Sequence, residues 1–338
     1  MKRWFKKVFL TGFWGGLILV WIILGLFYYQ GSRPVSSDPS TQVFEVQPGM
    51  PLKRVAQELF HNGLIHSPSA FKVIAYIQNK QTQVMVGEYS LSPSMLPSEI
   101  LLRITSGKTV LHPITIPEGY RITEIATLLH TEGLADKNVF IGHTRDQKLI
   151  RSLGITAESL EGYLFPETYH FSKFTPEKKI VETMVATYKS HVLTPELLKQ
   201  AKESSLSWHK IITLASLIEK ETGLETERKI ISSVFHNRLR KNMRLQTDPT
   251  VIYAIEKFDG NIRKRDLKID SPYNTYRYKG LPPGPIASPG LKSIVAAISP
   301  VESRHLYFVS RQNGSHYFSS TLKEHNRAVR KYQLNKTR

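Results

Sequence analysis

The sequence contains no cysteine, which excludes disulfide bonds and thiolate metal ligands. Its 12 histidines are scattered, and no His-Glu-x-x-His pattern brings two of them together on a helix as zinc ligands. A Walker-type phosphate loop and a dinucleotide-binding glycine motif are also missing from the sequence. We therefore expect neither a metal ion nor an organic cofactor.

Acidic residues are few relative to basic ones. The chain has 28 Asp and Glu against 46 Lys and Arg, a formal net charge of +18 over 338 residues. Such an excess suits a nucleic acid, an anionic membrane surface or an acidic polymer, and it is equally compatible with a basic surface that binds nothing. The N-terminal residues decide against nucleic acid.

One uncharged stretch, Val8 to Tyr29, is long enough to cross a membrane: its 22 residues would span about 33 Å as a helix. It is longer than the apolar region of a signal peptide and lacks a small-residue cleavage site. No charge follows it until Arg33, whereas four basic residues precede it, Lys2, Arg3, Lys6 and Lys7. We predict a single-pass anchor with a cytoplasmic tail, so the basic bulk lies outside the cytoplasm.

Two segments resemble each other at an offset of 70 residues, one starting at Phe44 and the other at Ile114. Both segments predict a short strand, a glycine turn, an amphipathic helix and a glycine at the helix end. We also expect an insertion later in the second copy. The pattern is typical of small α+β modules of the LysM type, which often hold polysaccharide; a spacer is the alternative. The identical pairs are Gly49 and Gly119, Ala56 and Ala126, Leu59 and Leu129, Gly63 and Gly133, and Leu64 and Leu134.

The predicted fold is therefore α+β, with an N-terminal transmembrane helix, LysM-like modules and a mixed α/β C-terminal domain. A Ser- and Pro-rich linker precedes the folded part. The predicted segments are a tail (1–7), the transmembrane helix (8–29), the linker (30–42), a LysM-like module (43–110), a second related α+β segment (111–174) and the C-terminal domain (175–338).

The stretch LASLIEKETG places two carboxylates, Glu219 and Glu221, at the end of an apolar helix expected over Trp208 to Glu221. Ala215 and Ser216 lie beneath Glu219 on its own face and would leave room beside it. Burial, the helix dipole and the neighbouring carboxylate would together raise the pKa of Glu219. A protonated carboxyl group is what general acid catalysis requires, although two solvated glutamates in a last helical turn are the alternative.

Two features downstream support a carbohydrate site. Asp248 could be the second carboxylate of a glycosidase pair, or the N-cap of a helix with Pro249 in its first turn. The Pro- and Gly-rich loop from Ser271 to Gly290 is expected to be stiff. Its candidate sugar-binding residues are Tyr273, Asn274, Tyr276, Pro283 and Gly284, in addition to Glu221 and Asp248.

The order and spacing of seven motifs resemble the endolytic murein transglycosylases of the MltG type. The motifs follow one another between residues 161 and 309, in the part of the chain beyond the linker. They are EGYLFPETY (161–169), ASLIEKET (215–222), FHNRL (235–239), MRLQTDPTVIY (243–253), YNTY (273–276), GLPPGPI (280–286) and LYFV (306–309).

The resemblance implies a bacterial inner-membrane protein whose external part has a LysM-like module and a catalytic domain (175–338). Such proteins cut peptidoglycan glycan strands internally, without water, and leave 1,6-anhydro ends. The first glutamate of the Glu-Lys-Glu motif is the catalytic one, a role that falls on Glu219. The implied partners are glycan strands and the membrane, with cell-wall synthases or division proteins as candidates. A muramidase using Glu219 with Asp248, and a non-catalytic wall-binding scaffold, are the alternatives.

Overall fold

A computed structural model describes residues 14, 18–22 and 25–334 of the chain. Half of the predicted transmembrane helix, Val8 to Tyr29, lies outside these residues, and the predicted tail lies wholly outside them. Within the described part, no helix is both long enough and apolar enough to span a bilayer. The anchor stays a prediction.

The fold is mixed α+β, as the sequence predicts, and the chain divides into two compact units. The first unit extends to His112 and includes His170–Phe174, and the second comprises Pro113–Tyr169 and the chain from Thr175 onward. The domain boundaries and the LysM-like character drawn from sequence patterns stay predictions.

The first unit contains the first copy of the repeat, with a two-stranded antiparallel sheet in which Phe44 lies opposite Tyr89. The side chains that alternate toward the interior of β1 pack with the helices in one core, which includes Phe44, Val46 and Leu59. Its elements are β1 (Gln42–Val46), α1 (Leu52–His61), α2 (Pro68–Ile77), β2 (Gly87–Leu91) and α3 (Pro97–Ser106).

The second copy repeats this order and adds one helix. Gly119 has a φ of 78° and Gly49 has one of 76°, a left-handed conformation that only glycine adopts without strain. The predicted glycine turns and the inserted segment are therefore confirmed. The elements are β3 (Leu111–Thr115), α4 (Ile122–Thr131), α5 (Lys137–Arg145), the additional α6 (Gln147–Ser152) and β4 (Thr168–Ser172), and β3 pairs with β4.

The second unit contains one buried helix, α9 (Trp208–Glu221). Every residue from Ile211 to Ile218 of α9 is buried, so this helix has no solvent-facing side over two turns. It packs against α12 (Leu291–Ile298) and α10 (Glu225–Arg240). A fully buried Leu or Ile contributes about 1.5–3 kcal/mol to stability. The buried part of α9 is therefore a stable support for the residues of its last turn, which follow Ile218.

The helix bounds predicted for α9, Trp208 to Glu221, are confirmed. The other elements of this part of the chain are α7 (Glu177–Val192), α8 (Pro195–Glu203), α11 (Asp248–Ala254), β5 (Tyr307–Ser310), β6 (His316–Ser319) and α13 (Leu322–Val329), with a 3-10 turn at Asp266–Lys268 and a π-helical turn at Arg330–Leu334.

The prediction that Asp248 caps α11 is wrong by one position. Thr247 is the N-cap residue, with extended backbone angles, and Asp248 is the first helical residue. Neither side chain caps the helix: the Thr247 hydroxyl donates a hydrogen bond to Glu221, and Asp248 accepts one from the Tyr276 hydroxyl at 2.5 Å. Both side chains therefore make tertiary hydrogen bonds and do not cap the helix.

Candidate active site

Glu219 lies in the last turn of α9, and both of its carboxylate oxygens have partners. Oε1 is 3.2 Å from Nη2 of Arg228, and Oε2 accepts a hydrogen bond from the backbone N–H of Gly290 at 2.9 Å. The side chain is only 6% exposed. These two contacts fix the orientation of the carboxylate.

Arg228 joins Glu219 to a second carboxylate, Glu118. The guanidinium is buried, and its Nε donates to the Ser293 hydroxyl at 3.1 Å. The same Nη2 that contacts Glu219 lies 3.6 Å from Oε2 of Glu118, whose side chain is 47% exposed. The site therefore has one buried carboxylate and one accessible carboxylate on a shared cation.

The loop that carries Glu118 is held by backbone hydrogen bonds. The Gly119 N–H donates to the Ser288 carbonyl at 2.8 Å, and the Ser288 N–H donates to the Tyr120 carbonyl at 2.8 Å. Lys220, which neighbours Glu219 on α9, donates to the Gly119 carbonyl at 3.2 Å. The loop is thus attached to the end of α9 and to the chain just before Gly290.

Gly290 is placed where a side chain would disturb the pair of carboxylates. A Cβ at this position would lie 1.8 Å from Oε1 of Glu118, so any substitution would have to displace that carboxylate. The backbone N–H of Gly290 is the donor to Glu219. The Pro- and Gly-rich loop therefore contributes to the site through its backbone at its last residue.

The charge environment differs between the two carboxylates. Burial, and then the negative charge of Glu219, raise the pKa of Glu118, and Arg228 and Lys292 oppose that shift. The sequence anticipates burial of Glu219 but not its guanidinium partner. The room expected beside Glu219 is not there: Ala215 and Ser216 are fully buried, and the Ile286 N–H donates to the Ser216 hydroxyl at 3.0 Å.

Glu221 belongs to a different environment from Glu219. Burial raises its pKa to about 7, with the nearby Asp248 adding to the shift and the hydrogen bond from Thr247 opposing it. Glu221 lines a cavity of about 500 Å³, together with Asp248, Tyr276 and Arg238. Glu219 is not among the described residues that line this cavity. Three of the predicted sugar-binding residues are therefore brought together, but away from the predicted catalytic one.

The other predicted binding residues lie elsewhere in the loop. Asn274 is fully buried, and its amide donates to the carbonyls of Leu267 at 3.0 Å and Ile269 at 2.8 Å. It therefore braces the loop instead of presenting its amide to a ligand. Tyr273 packs against Tyr253 with 4.8 Å between ring centroids.

Pro283 and Gly284 lie beside His209, at the first turn of α9. The Pro283 carbonyl is 2.9 Å from Nε2 of His209, and a Cβ on Gly284 would lie 3.6 Å from the same ring. Pro283 also lines a separate cavity of about 460 Å³. The predicted site residues thus fall into more than one place on the second unit.

Two residues of functional interest escape the sequence analysis, Glu118 and Arg228. Arg228 lies in α10, the helix that follows α9, and Glu118 follows β3, far before Glu219 in the sequence. One sequence signal for Glu118 comes from the repeat. The residue before the turn glycine is Pro48 in the first copy and Glu118 in the second.

Comparison with known proteins identifies the family. The model of the YceG-like family matches residues 44–331. The endolytic murein transglycosylase of Bacillus subtilis (strain 168) is 39% identical over 331 residues, which cover 92% of this chain and 91% of that protein. The enzyme of the same name from Streptococcus pneumoniae serotype 2 (strain D39) is 32% identical, and the match covers 83% of this chain and 56% of that longer protein.

A solved structure agrees with this assignment. The 2.6 Å crystal structure of a yceG-like protein from Listeria monocytogenes has 34% sequence identity and a TM-score of 0.60, and it covers 86% of this chain and 99% of that one. The resemblance indicated by the sequence motifs is confirmed, and this chain belongs to the YceG-like family.

Proposed function

We propose that this protein is a membrane-anchored endolytic lytic transglycosylase of peptidoglycan, with Glu219 as its catalytic carboxylate. The relatives named for that activity support the proposal at the level of the family. The observation that carries it in this chain is the fixed carboxylate of Glu219, held by Arg228 and the Gly290 N–H at the end of a buried helix.

The reaction would cleave the bond between N-acetylmuramic acid and N-acetylglucosamine without water. The C6 hydroxyl of the muramic acid attacks C1 of the same sugar, so the product has a 1,6-anhydro ring. A carboxyl group is needed to accept the proton of that hydroxyl, and the leaving oxygen needs a proton. The buried helix beneath Glu219 and the fixed orientation of its carboxylate support a role in proton transfer.

A hydrolytic muramidase using Glu219 and Asp248 is the second candidate. Such an enzyme needs two carboxylates whose separation leaves room for a water or a covalent intermediate at the same sugar. The partners of Glu219 are Arg228 and Gly290, whereas Asp248 contacts Tyr276 and lines the cavity that Glu221 also lines. This division favours the lytic reaction, with Asp248, Glu221 and Tyr276 in a sugar-binding role.

The predicted anchor, Val8 to Tyr29, would place the enzyme at the bacterial cytoplasmic membrane with its bulk outside. There it would cut nascent glycan strands and end their elongation, near the cell-wall synthases or division proteins that are its candidate partners. The net charge of +18 suits the anionic wall and membrane surface. The first unit would act as a LysM-like glycan-binding module or as a spacer.

Product analysis tests this proposal. The purified full chain in detergent is incubated with intact sacculi, and the released muropeptides are identified by mass spectrometry. We expect internal fragments with 1,6-anhydro ends, which are lighter by one water than reducing ends. Reducing ends would establish the muramidase, and binding without any release would establish a scaffold.

A further inference from the structure

We propose that Glu118 is a second catalytic carboxyl group, which donates the proton to the leaving oxygen while Glu219 accepts the proton of the attacking hydroxyl. This inference rests on the proposed function and deepens it. The family resemblance gives both the acid step and the base step to Glu219. The proposal assigns the acid step to Glu118 and the base step to Glu219.

The shared guanidinium is the first support. Nη2 of Arg228 is 3.2 Å from Glu219 and 3.6 Å from Glu118, so one cation bridges the two carboxylates. The two side chains differ in access, because that of Glu118 is 47% exposed and that of Glu219 is 6% exposed. An arriving sugar can therefore reach the carboxyl group of Glu118 from solvent.

The turn that carries Glu118 gives independent support. The same turn in the first copy has Pro48 at the equivalent position, and the glycines that follow have nearly equal φ angles, 76° for Gly49 and 78° for Gly119. The turn conformation therefore does not require a carboxylate before its glycine. Nothing lies within 4 Å of a Cβ placed on Gly49, whereas one on Gly119 would lie 3.7 Å from Cγ of Glu219.

The contacts of the two carboxyl groups fit this division of roles. Glu219 faces two donors, because it pairs with Arg228 and accepts the Gly290 N–H. Burial and the charge of Glu219 raise the pKa of Glu118. A carboxyl group whose pKa is raised keeps its proton to higher pH, and it can then serve as the acid.

The proton balance closes without water. The bond from C1 to the glycosidic oxygen breaks, and that oxygen takes the proton of Glu118. The C6 hydroxyl forms the new bond from its oxygen to C1 and gives its proton to Glu219. The reaction leaves Glu118 ionised and Glu219 protonated, and transfer of one proton from Glu219 to Glu118 restores the starting state.

Leaving-group dependence separates an acid from a residue that only positions others. Two substrates are compared, a peptidoglycan glycan strand and an aryl glycoside of N-acetylmuramic acid, whose phenolate leaves without protonation. For Glu118→Gln we expect a loss of kcat of about 100-fold or more on the strand and less than roughly 10-fold on the aryl glycoside. The loss of rate of the wild type at high pH should also disappear in this variant.

Two controls accompany the experiment. Glu219→Gln should lose activity on both substrates, because the base is needed whatever the leaving group. Glu132→Gln replaces an exposed carboxylate at the C-terminal end of α4, and it should leave both rates unchanged. Thermal unfolding of each variant establishes that it is folded.

Equal losses of Glu118→Gln on both substrates, or no loss on either, would overturn the role of Glu118 as the acid. Either result would leave the proposed function standing, provided that the wild type forms 1,6-anhydro ends. A wild type that forms only reducing ends would overturn the proposed function, and with it the division of roles.

Discussion

Glu219 and Glu221 leave the same final turn of one helix toward different partners. Glu219 contacts Arg228 and Gly290, and Glu221 accepts a hydrogen bond from Thr247 and lines a cavity. Residues two apart on an α-helix point about 200° apart around its axis, so the spacing itself separates them. The two carboxylates are therefore expected to differ in what their loss does to the protein.

Removal of Arg228 should destabilise the protein as well as inactivate it. Arg228→Met would leave Glu219 buried without its cation, and breaking a buried pair in this way costs about 3–5 kcal/mol in free energy of unfolding. Urea denaturation measures the change. As a control, Arg263→Met removes one partner of an exposed pair with Asp259 and should cost less than about 1 kcal/mol. Equal costs for the two variants would show that the Arg228 pair is not buried as described.

The two repeated glycines offer a matched test of the Glu118 loop. Gly119→Ala and Gly49→Ala place a side chain at nearly equal φ angles, 78° and 76°, and each should cost about 1–2 kcal/mol in stability. Only Gly119→Ala should also lower the rate of glycan cleavage, because that turn carries Glu118 and contacts the end of α9. Equal activities of the two variants would contradict a role for the loop in catalysis.

Asp248→Asn should preserve the chemistry of the reaction. If Asp248 helps to bind sugar in the cavity with Glu221 and Tyr276, its loss should raise KM and leave the 1,6-anhydro fraction of the products unchanged. Muropeptide analysis and the dependence of rate on substrate concentration measure the two quantities. A loss of kcat with unchanged KM would instead support the muramidase, in which Asp248 takes part in bond cleavage.

Glu161 should make stability depend on pH. It is buried, accepts the Ile122 N–H at 3.0 Å, and its pKa is raised by burial from 4.5 to about 7. A carboxyl group with a raised pKa stabilises the fold fully below its unfolded pKa, and that contribution is lost as pH rises through the folded pKa. The window for Glu161 therefore runs from about pH 4.5 to pH 7 and slightly above.

The matching variant is Glu161→Gln, whose amide oxygen can accept the same hydrogen bond and never ionises. The free energy of unfolding of the wild type, relative to the variant, should fall by about 1–3 kcal/mol between pH 5 and pH 8. The exposed control Glu132→Gln should show no such change. A constant difference for Glu161→Gln would mean that its carboxyl group is not buried in the way described.

Local sequence patterns predict the helices well and the site only in part. The bounds of α9 follow from apolar spacing, and the glycine turns follow from positions where the backbone needs a positive φ. Arg228 and Glu118 reach Glu219 only through tertiary folding, and the one sequence signal for Glu118 is the difference between the two copies of its turn. The sequence predicts that the Asn274 amide binds sugar. In the structure, the amide instead donates hydrogen bonds to two carbonyl groups of its own loop, those of Leu267 and Ile269.

The most direct test of the central claim is the 1,6-anhydro muropeptide yield of Glu219→Gln on purified peptidoglycan. The Gln amide keeps the size of the side chain and can still accept the Gly290 N–H, but it cannot act as a proton acceptor for catalysis. We predict a folded protein that releases no 1,6-anhydro ends above the level of a sample without enzyme. Release at the rate of the wild type would contradict the assignment of Glu219.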